Sequence, residues 1–425
     1  MLNLDFICQH PQIVREALHK RHEKFNLDDV LRLAEQRRDL MLRCDGLYTS
    51  LKRLKETISH APVTSRQALN LQVKIIGQDV RQLELQRAEI DTRLQLLLQN
   101  LPNLPHPSVP EGNSKPNDQE LRTWGHPLTL SFEPLAHWDL GERLGIIDVE
   151  AGTRIAGSRF VALKGAGARL ERALISFMLD VHTRDHGYVE IIPPHLVKRS
   201  IILGAGQPPK FEDQTYICSV DDLYLNSTAE VPLVGMHYNT IIAFDMLPLR
   251  YVAWTTAFQR EMGSIASRQT RGLSHLHQFN EVKLFQIVVP QDSYNVFRQV
   301  LQHAENILQQ LELSYRVVEL CARNLPFSAA KTVDLEVWMA GQKRYMQISS
   351  VSNCETFQAA RANIKYRPTK STNAEYVHTL NASGLAVSRT MAAILEAYQQ
   401  ADGSVVIPKV LRPYMRVSQL SVQGT

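Results

Sequence analysis

Between residues 28 and 100 the apolar side chains recur in alternating steps of three and four, and nothing else in the chain restricts its possible folds as much. The first run is Leu33, Leu40, Cys44, Leu47, Leu51, Leu54 and Ile58; the second is Leu69, Val73, Ile76, Val80, Leu83, Ile90, Leu94 and Leu97. That rhythm lays one apolar stripe along each of two helices. The second stripe skips a position at Arg87. Pro62 is the only proline in the segment, and with Thr64 and Ser65 as capping candidates it predicts a break at which the helices fold back on each other. At ~1.5 Å per residue, helices of about 30 residues make a hairpin on the order of 45 Å long.

Such a hairpin is either a dimerisation or spacer element or an arm that touches a long partner. Its charge leaves both open, since residues 28 to 100 hold 12 Lys or Arg against 10 Asp or Glu, a net of +2. A grip on a phosphate backbone would have to be local, through Arg37-Arg38 or Lys52-Arg53-Lys55. Over all 425 residues, 47 basic against 43 acidic side chains give +4, which excludes a uniformly basic nucleic-acid coat. With 44% hydrophobic and 21% charged residues, the chain has the usage of a folded protein of several domains.

Cys8, Cys44, Cys218, Cys321 and Cys354 lie far apart without a CxxC pair, which argues against a disulfide framework or zinc ribbon. No metal-ligand set is read. No apolar run approaches the ~18 residues of a membrane span, and the first residues lack a signal layout. The expectation is a cytoplasmic protein with no membrane partner.

Six prolines between residues 101 and 127 (Pro102, Pro105, Pro107, Pro110, Pro116 and Pro127) predict a stiff linker. The domains read as 1–100, the linker 101–127, and a second domain over 128–425. In that domain a helical pattern from Leu170 to Arg184 accompanies β-rich runs at Tyr188 to Ile192, Phe285 to Val289, Leu335 to Trp338 and Arg344 to Ser350. Strands clustered without regular strand–helix alternation predict an α+β domain with an antiparallel sheet. There is no Walker motif, and Gly165-Ala-Gly167 lacks the third glycine of a dinucleotide fingerprint, so it reads as a turn.

Several motifs are more specific. Leu101-Pro-Asn-Leu-Pro-His-Pro-Ser-Val-Pro110, Gly167-Ala-Arg-Leu-Glu-Arg-Ala-Leu-Ile175, Leu223-Tyr-Leu225 with Thr228-Ala-Glu-Val-Pro-Leu233, Thr379-Leu-Asn-Ala-Ser-Gly-Leu-Ala386 and Val410-Leu-Arg-Pro-Tyr414 together resemble bacterial-type seryl-tRNA synthetases over nearly the whole chain. The resemblance implies a class II synthetase fold: an antiparallel sheet with flanking helices and an N-terminal coiled-coil arm. It implies a homodimer that holds the variable arm of serine tRNA, with ATP and Mg²⁺ as ligands. Serine's carboxylate attacks the α-phosphate of ATP, and the tRNA's terminal hydroxyl then takes the seryl group. Such centres are handled by positioning and fixed positive charge.

By the same resemblance, Thr228, Ala229 and Glu230 form the serine-binding triplet, and Ser383 contacts the amino acid. Glu261 reads the adenine, Ile348, Ser349 and Ser350 lie along the nucleotide, Arg389 is the motif 3 arginine, and Pro194 is the dimer-interface proline of motif 1. Other positions depart from the pattern. Gln259 replaces the α-phosphate arginine, and Arg260 beside it points to the opposite strand face. His275 stands where an arginine faces ATP. Lys283 replaces the glutamate that receives serine's ammonium, Gln347 replaces a metal- and ATP-facing glutamate, Ser388 replaces a glycine, and Ala360 one of two arginines. At an effective dielectric of ~20, two like charges ~4 Å apart repel by about 4 kcal/mol, so Lys283 is expected to oppose serine, with Glu281 on the same strand face as a compensating carboxylate.

The leading expectation is a paralogue with lost or altered serine activation that binds tRNA or a protein such as an intact synthetase. The alternatives are an active serine–tRNA ligase with a rearranged pocket, in which Arg260, Arg268 or Arg271 takes the phosphate contacts, and an enzyme activating an acid that lacks an α-ammonium.

Overall fold

The computed structural model describes residues 1–425 except 113, 208, 261–271, 370–371 and 422–425. The chain divides into two compact units, one made of Leu2–His19 and Glu23–Pro102, the other of Met1, Lys20–His22 and Asn103–Thr425.

In the first unit, helix α1 (Leu27–His60) begins at Asn26, whose side chain accepts from the Asp28 backbone N–H. Asp28 and Asp29 then lie in the first turn, where the helix dipole favours acids. Helix α2 (Val63–Gln99) starts at Pro62 with no side-chain cap, so Thr64 and Ser65 lie within the helix instead of capping it. A proline outside the hydrogen-bonded ladder costs nothing and disfavours helical geometry in the residue before it, which is enough to end α1. Leu40, Cys44 and Leu83 form the centre of the seam, with Leu47 and Ile90 packed against them. The skipped beat has a polar filling, since Arg37 Nε donates to Asp91 Oδ1 at 2.6 Å and Arg87 lies one turn before Asp91.

An eight-stranded sheet organises the second unit. In chain order its strands are β1 (Gln119–Trp124), β2 (Val189–Ile191), β3 (Leu249–Phe258), β4 (Gln278–Val288), β5 (Tyr315–Glu319), β6 (Lys331–Met339), β7 (Arg344–Glu355) and β8 (His378–Ala386). They lie side by side as β1-β5-β6-β7-β8-β4-β3-β2, antiparallel throughout except for β2 on β3. The residues read as linker are therefore not all linker, because Gln119–Trp124 forms the edge strand on β5.

On one face pack α3 (Ala166–Arg184), α5 (Ser293–Gln310) and α6 (Val387–Ala397). Leu170, Leu174, Phe177, Met178 and Val181 of α3 recur at helical spacing and are buried there with Ile307, Leu308, Met391 and Ile394. The second face is covered partly by α4 (Glu230–Gly235). Alternation along β4 assigns its residues to the two layers: Val282 and Leu284 enter the first core, Phe285 and Ile287 the second. Glu281 and Lys283 share the parity of Phe285 and so face α4.

Candidate functional site

Where β4, β7 and β8 lie side by side, their register puts Glu281 opposite Ala386, Lys283 opposite Ser383 and Val351 opposite Ala382. The ladder shifts by one residue between Val282 and Lys283, leaving Gly384 as the extra residue on β8. A Cβ on Gly384 would lie 3.1 Å from His182 Nε2 and 3.2 Å from Val282, so a side chain has little room. Above this bulge lies a cavity of about 170 Å³ whose wall includes Gln259, His275, Phe279, Glu281, Gln347, Ser383, Ser388 and Arg389.

One side of the cavity is a closed polar network. Asp334 on β6 pairs in register with Ser350 on β7; its Oδ1 accepts from Ser350 Oγ at 2.6 Å and its Oδ2 from Gln347 Nε2 at 2.9 Å. Arg389 Nη1 in turn donates to the Gln347 backbone oxygen at 3.0 Å and to its Oε1 at 3.3 Å. Burial pushes the Asp334 carboxyl up to about 6, against the pull of the Ser350 and Gln347 hydrogen bonds. Ser349 donates to the Ser383 backbone oxygen, fixing β7 against β8. Ile348 and Ser350 also line the cavity.

The other side carries three charged groups. Glu281 is buried, lines the cavity, and accepts from the Ala229 backbone N–H at 2.7 Å. Lys283 is also buried, but its Nζ lies 3.7 Å from Glu230 Oε2. Glu230 Oε1 accepts from Asn381 Nδ2 at 3.0 Å and from Gln358 Nε2. Burial raises the Glu230 carboxyl, and Lys283 and Gln358 oppose that shift. Lys283 thus has Glu230 as its ion-pair partner, while the carboxylate in the cavity wall is Glu281. Thr228 Oγ1 accepts from the Glu230 N–H at the start of α4. Ala229 and Lys283 are thus buried, and Thr228 and Glu230 partly buried, beside Glu281 of the cavity wall.

The first 105 residues match the seryl-tRNA synthetase N-terminal domain family, and residues 211–398 match the class II tRNA synthetase core domain family (G, H, P, S and T). The serine–tRNA ligase of Caldanaerobacter subterraneus subsp. tengcongensis is 46% identical over 419 residues, covering 98% of each chain. That of a Geobacillus species is 47% identical over 418 residues, again 98% of each. The chain belongs to the seryl-tRNA synthetase family. The crystal structure of the Pyrococcus horikoshii seryl-tRNA synthetase complexed with ATP superimposes over the full length of both chains with a TM-score of 0.94 at 32% identity. This membership carries the class II fold, with its antiparallel sheet, flanking helices and long N-terminal helical arm.

Among the positions at which seryl-tRNA synthetases were expected to hold ATP, Gln259, His275, Gln347, Ile348, Ser349, Ser350 and Arg389 all reach the cavity. Arg260 does not. It donates to the Asp213 backbone oxygen at 3.0 Å and lies over the Tyr216 ring at 5.0 Å, although Gln259 and Arg260 come after the last residue of β3, where strand alternation no longer applies. Glu261, Arg268 and Arg271 lie outside the described residues. Pro194 is exposed in the segment between β2 and the strand Leu196–Lys198. Sequence reasoning missed Asn381 and Asp334. Asn381 could have been found two residues before Ser383 on the same face of β8, whereas Asp334 needed the β6–β7 register.

Proposed function

We propose that the protein is a serine–tRNA ligase with a rearranged activation pocket. The observation that carries this reading is the placement of Glu281 in the cavity wall while Lys283 is drawn to Glu230. Glu281 receives the serine ammonium, and Ser383 lies on the paired strand beside it. Arg389 faces the nucleotide phosphates as serine's carboxylate attacks the α-phosphate and pyrophosphate leaves. In the second step the terminal hydroxyl of serine tRNA attacks the seryl carbonyl and AMP leaves.

Gln259 and His275 supply less positive charge to the phosphates than two arginines would. Loss of one preorganised donor costs about 10²- to 10³-fold in rate, so activation is slow. Asp334 is occupied by Gln347 and Ser350, and Gln347 offers a neutral amide where a carboxylate would hold Mg²⁺ against the phosphates. Serine-dependent ATP–pyrophosphate exchange by the purified protein tests the reading. A slow but serine-dependent exchange supports it, and no exchange above a serine-free control sinks it.

A second reading, a paralogue that binds without activating serine, is favoured by the neutral side chains at positions 259 and 347. It predicts tRNA binding or capture of an intact synthetase with no exchange. In both readings the chain works as a homodimer, and in the first the arm holds serine tRNA. Ile192, 80% exposed, and Val189, 58% exposed, flank Pro194 as an apolar surface for a second copy. On the arm, Arg37 is engaged by Asp91, while Arg38, Lys52, Arg53 and Lys55 are exposed to phosphate. Sedimentation equilibrium and a salt-dependent tRNA gel shift test these two points. No helix among the described residues is long and apolar enough to cross a membrane.

A further inference from the structure

A fully buried carboxylate, Glu396 near the end of α6, accepts hydrogen bonds from three residues, Gly341, Gln342 and His137. Its Oε2 accepts from the Gly341 and Gln342 N–H groups at 2.8 and 3.3 Å, in the turn between β6 and β7. Its Oε1 accepts from Gln342 Nε2 at 2.9 Å and from His137, both from the backbone N–H at 3.1 Å and from Nδ1 at 2.8 Å. His137 is itself fully buried. Because Nδ1 carries its proton toward the carboxylate, Nε2 is left as an acceptor, and the Leu273 backbone N–H donates to it at 3.1 Å.

Each segment tied to this pair supplies part of the nucleotide cavity. Leu273 and the residues after it bring His275 and Leu276 to the wall; the 341–342 turn leads into the strand bearing Gln347 to Ser350; α6 carries Arg389 seven residues, or two turns, before Glu396 on the same side. The fit at Leu273 is tight. Gly272 has φ +69°, and a Cβ there would sit 2.4 Å from His137 Nε2. Only glycine lets the chain pass so close to the imidazole at that backbone angle.

We infer that His137 and Glu396 are positioning residues of the nucleotide site: the carboxylate sets the imidazole tautomer, and the imidazole holds the Leu273 N–H, so that the three walls close at one geometry. Neither residue lines the cavity, and both act through the backbone that does. The inference rests on the reading of this cavity as a nucleotide site, but the hydrogen-bond relay is testable without any ligand.

The test combines amide hydrogen exchange with ATP titration calorimetry on the full chain. In the wild type, the Leu273 amide should exchange slowly although it lies outside helix and strand. Exchange at the rate of a free amide would overturn the proposal with no variant needed. His137→Asn keeps a donor for Glu396 and removes the acceptor for Leu273. Exchange at 272–276 should then rise about tenfold or more, and ATP should bind about tenfold more weakly, because one wall is displaced without being removed. His137→Gln, whose amide oxygen reaches the Leu273 N–H, should restore both.

A merely structural role would lower the melting temperature of His137→Asn while leaving ATP affinity, measured well below melting, within twofold of wild type; that result would also overturn the proposal. If the wild type binds no ATP, the nucleotide reading fails, and the exchange at 272–276 still decides whether the relay exists.

Discussion

Lys283 Nζ lies 3.7 Å from Glu230 Oε2, with both side chains nearly buried. Two opposite charges out of water stabilise each other only as a pair, and removing one strands the other. Lys283→Ala should therefore destabilise the fold by about 3 to 5 kcal/mol. Urea unfolding monitored by tryptophan fluorescence measures it; a loss under about 1 kcal/mol, the range of exposed pairs, would show that the pair carries no special weight.

The same relationship bears on serine recognition. Lys283→Glu would gather three carboxylates, at 230, 281 and 283, in one buried layer. If Glu281 receives the ammonium, this change should weaken folding without raising serine-dependent exchange. A large gain in exchange would instead show that position 283 is where the ammonium binds.

Gln259 reaches the cavity where positive charge is wanted. Gln259→Arg should raise the rate of serine-dependent pyrophosphate exchange by about 10² to 10³, with little change in thermal stability. An unchanged rate would mean that phosphate stabilisation comes from elsewhere in the site.

A histidine cluster behind the sheet sets an acid limit on stability. His182 Nδ1 is 2.9 Å from His186 Nδ1, and His186 stacks on His303 with ring centroids 4.2 Å apart. Burial, with a contribution from neighbouring histidines, lowers His182 to about 3 and His303 to about 4 from an ordinary 6.5. The neutral folded forms contribute full stability above pH 6.5. Below it the unfolded chain takes up the protons first, so stability falls as pH drops toward 4, by about 1.4 kcal/mol per pH unit for each histidine. Unfolding free energies from pH 7 to 4.5 should show this slope, and His303→Phe, which preserves a stacked ring, should make it shallower. An equal slope would exclude His303 as a contributor.

In the arm, Asp91 separates the charges of Arg37 and Arg87. All three are partly exposed, so Asp91→Ala should cost only about 0.5 to 1 kcal/mol, read by thermal melting in low salt. The effect should shrink in about 1 M salt, where screening is nearly complete.

The helical arm was legible in the sequence because its seam depends on local periodicity alone: Leu33 to Ile58 and Leu69 to Leu97 needed no knowledge of the rest of the chain. The break at Pro62 was legible for the same reason, although its cap was not, since Thr64 and Ser65 come too late to reach the first N–H groups. The sheet's antiparallel character and the positions of most cavity residues followed from strand patterns and specific motifs. The place of Arg260 was set by tertiary contacts with Asp213 and Tyr216, because β3 has already ended at Phe258. Three relationships came only from the tertiary structure, namely Lys283 with Glu230, Asp334 with Gln347, and Glu396 with Leu273 through His137. The first and third join segments far apart in the chain and the second depends on the register of the β6–β7 hairpin, so what a charge does there depends on which partner the strand register and helix packing bring near it. Sequence alone assigned Lys283 its charge, and the fold determined which carboxylate answers it.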